Sequence, residues 1–306
     1  MGCAQGSQAK LCFEPGASAH TFDTSSEPYE FLRENLITKH SLGVPDGIRG
    51  TRSEASERAR FGPNQHGGPI WMNCSPADLA NILPRALGAN ASGTTFALAE
   101  SIQPFGAMID RVTGVFQYND CVIDKLLISG ESSGGDQPDF IQMVLVLIAK
   151  SSTNSIEGSA TFPTLTLGVT AAHAPYIFQD TVFTLAGATR ETKRFRLLID
   201  NAVQPRWVNS RDPTALCPTR RVVSLTTVHP FDSDNTGLYA QALAGATGSL
   251  AITNGTVSTT FTFAKLQVPK EDPNVQGKQE IDLSLMMVAR KDGSTAELSV
   301  TNDSTP

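Results

Sequence analysis

Apolar and polar residues alternate over several short stretches of the chain, which is the pattern of half-buried β-strands. The clearest pair is Cys121–Ser129 and Phe140–Lys150, separated by turn-forming residues from Gly130 to Pro138. This spacing predicts a β-hairpin whose loop is longer than two residues. Because the second strand is apolar at nearly every position, we expect both of its faces to be buried.

A short helix is predicted directly after the strand Ile70–Cys74. Ser75 can accept hydrogen bonds from the free N–H groups of a first helical turn, and Pro76 suits the first helical position. Gly88 is a typical stop, since glycine adopts the left-handed conformation that ends many helices. Between them, apolar residues recur at helical spacing at Leu79, Ile82, Leu83 and Leu87.

The same order of predicted elements occurs a second time. A strand at Phe195–Asp200 precedes a polar loop (Asn201–Pro218), a strand (Val222–Val228), a short helix that stops at Gly245, and a final hairpin that ends with Ile281–Ala289. We therefore predict a tandem duplication. The fold class is α+β and mainly β, with two β-sandwich or rolled-sheet domains that each contain one short helix.

The predicted organisation is an N-terminal arm (1–27), a first domain (28–160), a linker with a connecting strand (161–190) and a second domain (191–306). The length of 306 residues suits two domains. With 40% hydrophobic and only 18% charged residues, the chain is globular and has much neutral surface. Neutral surface of this kind is often covered by neighbouring subunits.

Charge and cysteine usage exclude several classes of protein. A net charge of −6 argues against tight nucleic-acid binding, which depends on Lys and Arg. The five cysteines lie far apart without a C-x-x-C pair, so we expect neither disulfides nor a zinc site but free thiols in a reducing cytoplasm. The chain shows no signal peptide and no long apolar run, so we expect synthesis in the cytosol and no membrane contact.

No pattern of residues indicates an active site, a metal or a cofactor. Gly130–Gly134 matches the G-x-S-x-G motif with Ser132 at its centre, but a strand follows where a hydrolase has a helix. We therefore expect a turn at this motif rather than the nucleophile of a hydrolase, which is the less favoured interpretation. The histidines are isolated from one another, so we expect them to be surface or loop residues.

The polar loop Gly43–Gly68 and its counterpart Asn201–Pro218 contain the best candidates for contacts. Their charges have both signs, which fits contact with another copy of the chain better than contact with DNA. A solvated charged loop is the alternative. The candidate residues are Arg49, Arg52, Glu54, Glu57, Arg58, Arg60, Arg206, Arg211 and Asp212.

Five runs together resemble the tail tube (major tail) proteins of long-tailed bacteriophages. They are Gly6–Leu11, Gly47–Ser53, Ser75–Leu79, Glu280–Leu285 and Ala289–Gly293. The resemblance implies a structural virion protein of the phage tail, whose inner sheets join those of its neighbours into a ring-shaped β-barrel. It brings no catalytic residues with it. Some members have two tube domains per chain, and the duplication favours that variety.

The resemblance also implies partners. Three chains would form a pseudo-hexameric ring, with six chains per ring as the alternative, and stacked rings would form the tube through which viral DNA is ejected. The tail terminator, tape measure and distal tail proteins are further implied partners. From the net charge we expect an acidic lumen that DNA passes without specific binding. The alternative function is a β-rich adhesin or carbohydrate-binding module.

Overall fold

The computed structural model describes residues 5–16, 20–46, 53, 56–156, 160–231, 236–255, 257–268 and 281–304. Within these ranges the chain is mainly β, as the sequence predicts, with two short α-helices. Most of its strands belong to one large antiparallel sheet.

The strands of the first half are β1 (Lys10–Pro15), β2 (Glu27–Tyr29), β3 (Arg33–Glu34), β4 (Ile37–Gly43), β5 (Arg60–Asn73), β6 (Thr95–Ala97), β7 (Phe105–Asp110), β8 (Val115–Glu131), β9 (Gln142–Ala149) and β10 (Ser151–Asn154). Those of the second half are β11 (Thr181–Leu185), β12 (Ala188–Arg190), β13 (Arg194–Asp200), β14 (Val203–Arg206), β15 (Ala215–Pro218), β16 (Val222–Pro230), β17 (Ala246–Asn254), β18 (Val257–Gln267), β19 (Asp282–Arg290) and β20 (Leu298–Asp303). The helices are α1 (Pro76–Leu87) and α2 (Thr236–Ala244).

Helix α1 begins and ends at the residues that the sequence indicates. The Asp78 N–H donates to Ser75 Oγ (3.2 Å), and Pro76 lies in the first turn. Gly88 follows the helix with a φ of 92°, and its N–H donates to the Pro84 carbonyl (2.8 Å). The apolar residues predicted to face the core are buried: Leu79, Ile82, Leu83 and Leu87.

Helix α2 is likewise present and is followed by Gly245, with a φ of 82°. The residues predicted to begin it, 232–235, lie outside the described residues. Leu238 and Ala242 are fully buried and attach the helix to the core. Each half of the chain therefore contains one short helix, as predicted.

The strands pair in the same order in both halves. In the first half, β2, β1, β7, β8 and β10 are successive neighbours, and a second series runs from β8 through β9 and β5 to β4. In the second half, the first series consists of β12, β11, β17, β18 and β20. The second series runs from β18 through β19 and β16 to β13. A register shift lies at the same place in each half, between Phe105 and Ala107 of β7 and between Ala246 and Gly248 of β17.

Two pairings connect the halves. Strand β8 pairs with β13, from Lys125 opposite Asp200 to Glu131 opposite Arg194, and β20 pairs with β6. The first of these produces a continuous series β4–β5–β9–β8–β13–β16–β19–β18, which we call the central run. Among the described residues the pairings do not close into a barrel within one chain, and β4 pairs with β5 alone.

One face of the central run packs on the core and the other is partly open. Along β9, Met143, Leu145, Leu147 and Ala149 are buried, whereas the alternate residues are half-buried or exposed. The prediction that β9 is buried on both faces was therefore wrong for the single chain, since α1, α2 and the remaining strands cover one face. Each fully buried Leu or Ile contributes about 1.5–3 kcal/mol.

Several predicted boundaries need correction. The loop predicted at Gly43–Gly68 is shorter, because β5 begins at Arg60 and pairs with β4. Glycine, proline and charged residues favour a loop locally, but cross-strand pairing outweighs that weak preference. The loop Asn201–Pro218 contains the hairpin β14–β15, and the strand predicted at Cys121–Ser129 is part of the longer strand β8.

Short strands also lie outside the predicted domains. Strand β1 lies in the predicted arm, where no strand was expected, and β11 and β12 lie in the predicted linker, where one connecting strand was expected. All three are only three to six residues long, so their alternation is too brief to be distinct. Their place in the sheet depends on partners that are distant in sequence.

Gly68 in β5 provides a test of this packing. Its φ is 148°, and a Cβ at this position would lie against the main-chain oxygen of Asn35. We expect Gly68→Ala to lower the free energy of unfolding by about 1–3 kcal/mol, because the backbone must either shift or remain strained. Thermal unfolding followed by circular dichroism measures this. Gly43→Ala is the control, since a Cβ there has open space, and equal losses in both variants would contradict the prediction.

Candidate assembly surfaces

The hairpin β4–β5 exposes a pair of large apolar side chains. Leu42 and Phe61 are cross-strand partners and are 60% and 56% exposed. Adjacent apolar side chains on an open surface are typical of contact sites. Sequence reasoning missed this pair, because the two residues become neighbours only through the pairing of β4 with β5.

The predicted contact residues of the first loop surround this hairpin. Glu57 and Arg58 are exposed in the 3-10 turn Ser56–Arg58, and Arg60 is the first residue of β5, opposite Gly43. The other three predicted residues, Arg49, Arg52 and Glu54, lie outside the described residues.

The predicted contact residues of the second loop lie close to the same hairpin. Arg206 is exposed at the end of β14. Arg211 is exposed too, with its guanidinium carbon 6.0 Å from the centre of the Phe61 ring. Asp212 is half-buried against β5 of its own chain. The structure thus brings Arg211 and Asp212 to the hairpin β4–β5.

Asp212 is the centre of a polar network. Its Oδ1 accepts a hydrogen bond from Asn64 Nδ2 (2.7 Å) and lies 2.9 Å from Nε2 of the buried His66. The Asn64 N–H donates to the Arg211 carbonyl (2.7 Å), and the Trp207 indole donates to the Asn64 carbonyl (3.3 Å). Together these bonds hold the second loop on β5.

Sequence reasoning missed Asn64, His66 and Trp207. Nothing in the local sequence brings β5 to the loop between β14 and β15, because the two segments are far apart along the chain. The expectation that the histidines are surface or loop residues was wrong for His66 and His229, which are buried in β5 and β16.

The network determines the titration of Asp212. Partial burial raises the pKa of its carboxyl, but the hydrogen bonds from Asn64 and His66 and the nearby imidazoles outweigh burial and lower that pKa. The charged carboxylate is therefore the form that the folded protein favours.

The open face of the central run contains charges of both signs. Lys125 lies 3.2 Å from Asp200, and the more exposed Arg194 lies 3.8 Å from Glu131. The Arg33 guanidinium lies over the Trp71 ring at 3.9 Å. The described charged residues on this face are Arg33, Lys39, Lys125, Glu131, Arg194, Arg196, Asp200, Lys265, Asp282 and Arg290. The net acidity of the chain is therefore not concentrated on this face.

The G-x-S-x-G motif lies at the tip of the hairpin β8–β9. The Ser132 N–H donates to the Lys193 carbonyl (3.0 Å), and Ser133 rather than Ser132 bonds to a carboxylate, that of Asp139. Strand β9 follows the loop, so the helix of a nucleophile elbow is missing. The motif is a turn, as expected.

Other reactive groups have structural roles. The thiols of Cys12, Cys74 and Cys121 are buried, and burial together with Glu14 raises the pKa of Cys12 to about 12. A thiol with so high a pKa is unreactive at neutral pH. Within the described residues, no three His, Cys, Asp or Glu side chains form a cluster suited to a metal ion. None of the described helices has the length and apolarity needed to cross a membrane.

Exposed edges and apolar pairs of this kind define a protein that assembles with other chains. The family model of phage tail tube proteins matches residues 8–289, nearly the whole chain. The chain therefore belongs to the phage tail tube protein family, as the resemblance predicts. No curated protein is significantly similar to it.

Membership establishes the class of function. The chain is a structural component of the phage tail and part of the virion, and proteins of this family polymerise into a tube. It is not an enzyme, so the hydrolase alternative was wrong.

The Asp212 network leads to a prediction about pH. We expect Asp212→Ala to lower the melting temperature at pH 7, because Asn64 and His66 lose their partner. Since the carboxyl's pKa is lowered on folding, its contribution is complete above the ordinary Asp pKa of about 3.9 and is lost as pH falls through the lowered pKa. The difference in melting temperature between the variant and wild type should narrow as pH falls over that range, as measured by thermal unfolding. Asp136→Ala, in an exposed loop, is the control, and an equal effect there would contradict the prediction.

Proposed function

We propose that the chain is a tube subunit with two similar domains, which polymerises into stacked rings and so forms the channel for ejected viral DNA. The observation that carries this proposal is the repeated pairing order of the strands. A chain built from two such units can repeat between chains the contact that joins its halves, and such head-to-tail contacts between two different, complementary edges generate rings.

The domain boundaries are part of the proposal. The predicted domains, 28–160 and 191–306, contain the series β8–β9–β5–β4 and β18–β19–β16–β13. The pairings favour an extension of each domain toward its N-terminus, because β1 pairs with β7 as β11 pairs with β17. On this division the arm 1–27 and the linker 161–190 contribute the first strands of the two domains.

The join between β8 and β13 is the model for contacts between chains. Strand β18 corresponds to β8 in the pairing order, and β3 with β4 corresponds to β13. The counterpart of the joining segment Lys125–Glu131 follows β18 and lies outside the described residues. A second copy that places this segment beside β3 and β4 would repeat the internal join. Three chains would then close a pseudo-hexameric ring, with six chains per ring as the alternative. Closure would pair edges that otherwise favour aggregation.

In such a ring the open face of the central run would line the lumen. Seven of its described charged residues are cations and three are anions, so the wall would carry an excess of positive charge rather than the acidity expected from net charge. Ion pairs such as Lys125 with Asp200 neutralise part of this charge, and attraction through phosphates alone would be independent of DNA sequence.

The hairpin β4–β5 and the second loop would contact neighbouring chains and rings. Exposure of Leu42, Phe61 and the charged residues near them supports this role for the hairpin. Asp212 has the different role of holding the second loop to its own chain. The tail terminator, tape measure and distal tail proteins are the further partners that we propose for the ends and lumen of the tube.

Negative-stain microscopy of purified protein tests the proposal directly. We expect rings or hollow tubes, and native mass measurement of isolated rings should give three chains. A mass of six chains would favour the alternative. Protein that remains monomeric at high concentration would contradict the proposal.

A double substitution tests the role of the hairpin. We expect Leu42→Glu with Phe61→Glu to raise the concentration needed for polymerisation at least about tenfold, because a buried contact would receive two charges. Sedimentation of polymer measures this concentration. Val182→Glu, at a residue that is 45% exposed and distant in sequence, is the control. Wild-type polymerisation by the double variant would exclude the hairpin from the contacts.

A further inference from the structure

Residues 164–169, which we call the linker segment, have the sequence of a β-strand but pair with no strand of their own chain. Threonine alternates with leucine or valine, apart from Gly168, which is the pattern of a strand with one apolar side. The chain makes no turn or bend from residue 160 to residue 169. Within the described residues, the main-chain groups of residues 161–169 form no hydrogen bond to the protein.

The linker segment contacts its own chain through side chains. Leu165 is half-buried and, with Phe162 and Leu167, lines a cavity of about 580 Å³ beside the start of β1 and the end of β2. Leu167 is nevertheless 48% exposed, and Val169 is 94% exposed. The main chain of the segment is therefore available to another strand.

Strand β10 has an open edge. It pairs with β8 and, within the described residues, with no other strand. The Ser155 N–H, just after β10, donates to the Val115 carbonyl of β8 (2.8 Å). Because N–H groups of successive residues point to opposite sides of a strand, that of Ser152 points away from β8, toward the open edge.

The counterpart of β10 in the second half is paired on both sides. Strand β20 pairs with β18 on one side and with β6 of the first half on the other. Tyr118 and Phe263 are corresponding residues, since each lies opposite the first residue after the register shift of its partner strand. Tyr118 pairs with Ser152 of β10, and Phe263 pairs with Leu298 of β20. Ser152 therefore corresponds to Leu298.

The ends of these two strands differ in exposure. Asn302 is 3% exposed, and its N–H donates to the carbonyl of Thr94, next to β6 (2.8 Å). Ile156 occupies the corresponding place after β10 and is 74% exposed. Its N–H donates to Asn154 Oδ1 (3.0 Å), a side-chain acceptor that an incoming strand can replace. This end of β10 thus lacks the cover that β6 gives to β20.

The missing strand cannot be the counterpart of β6. Strand β6 lies between α1 and β7, whereas Gly245 alone separates α2 from β17. The second half therefore has no strand at that place to offer to another chain. The linker segment, in contrast, is long enough to pair with all four residues of β10.

We infer that the linker segment of one chain adds as a strand to the β10 edge of a second copy, as β6 adds to β20 within the chain. The inference rests on the proposed polymerisation. Addition of an extended segment to a sheet edge satisfies the main-chain groups of both. Because the segment has no turn to unfold, its ordering costs little. Pairing would also cover an edge that otherwise favours aggregation.

Hydrogen exchange of the wild-type protein, measured by mass spectrometry, tests both partners. Alternate amides of the linker segment, and the amide of Ser152, should exchange at least about tenfold more slowly in sedimented polymer than in the unassembled subunit. Unchanged exchange in the linker segment would overturn the inference. Protection of the segment with unchanged exchange in β10 would overturn it as well.

Proline variants test the main chain of the segment. Thr166→Pro and Leu167→Pro each remove an N–H, and the two N–H groups point to opposite sides of the segment. The measurement is the critical concentration, the amount of subunit left in solution after polymer has been sedimented. One of the two variants should raise it at least about fivefold, through loss of one hydrogen bond between chains.

Thr166→Ala and Leu167→Ala are the matched controls. They keep the N–H and should remain within about twofold of wild type, as surface substitutions do. If neither proline variant exceeds its alanine control, the inference is overturned. If a proline variant does not fold, exchange in the wild-type protein decides. Failure of wild type to polymerise would instead overturn the proposed function.

Discussion

The main-chain groups at the edge of a β-sheet need hydrogen-bonding partners, and this need governs the structure of the chain. The antiparallel pairing of β8 with β13 meets it where the two halves join, from Lys125 to Glu131. Without this pairing β8 and β13 would each present an open edge along these residues. Exposed edges associate with any available strand, so the internal join decides which edges remain for specific contacts.

Strand β8 connects this join to the rest of the molecule. Its first residues pair with β7 and β10, whereas its last residues pair with β9 and β13. One strand therefore takes part in two groups of strands, and its buried residues, such as Tyr118 and Ile128, lie in one continuous core. Because protein interiors are close-packed, a change at one end of β8 is felt at the other.

Much of the fold could be predicted from the sequence, and the reasons are local. Ser75, Pro76 and Gly88 determine the ends of α1 through their own backbone preferences. Alternating apolar residues indicate β8 and β9, although both faces of β9 were expected to be buried. That error arose because a sequence shows how apolar a strand is without showing whether a neighbour covers it.

The assembly surfaces were less predictable, because they depend on long-range pairing. Charge composition indicated the two loops, but it gave no reason to bring Asp212 to His66 or Leu42 to Phe61. The short strand β1 was missed for the same reason. Such contacts depend on the register of strands that are distant in sequence, which a single sequence does not show.

The covalent link between the halves has a kinetic consequence. Because β8 and β13 belong to one chain, each meets the other at an effective concentration that does not fall on dilution and is of the order of millimolar for a short link. Their pairing can be completed while the chain folds, long before subunits become abundant. The two kinds of edge can therefore evolve separately, one for rapid folding and the other for a controlled encounter between molecules.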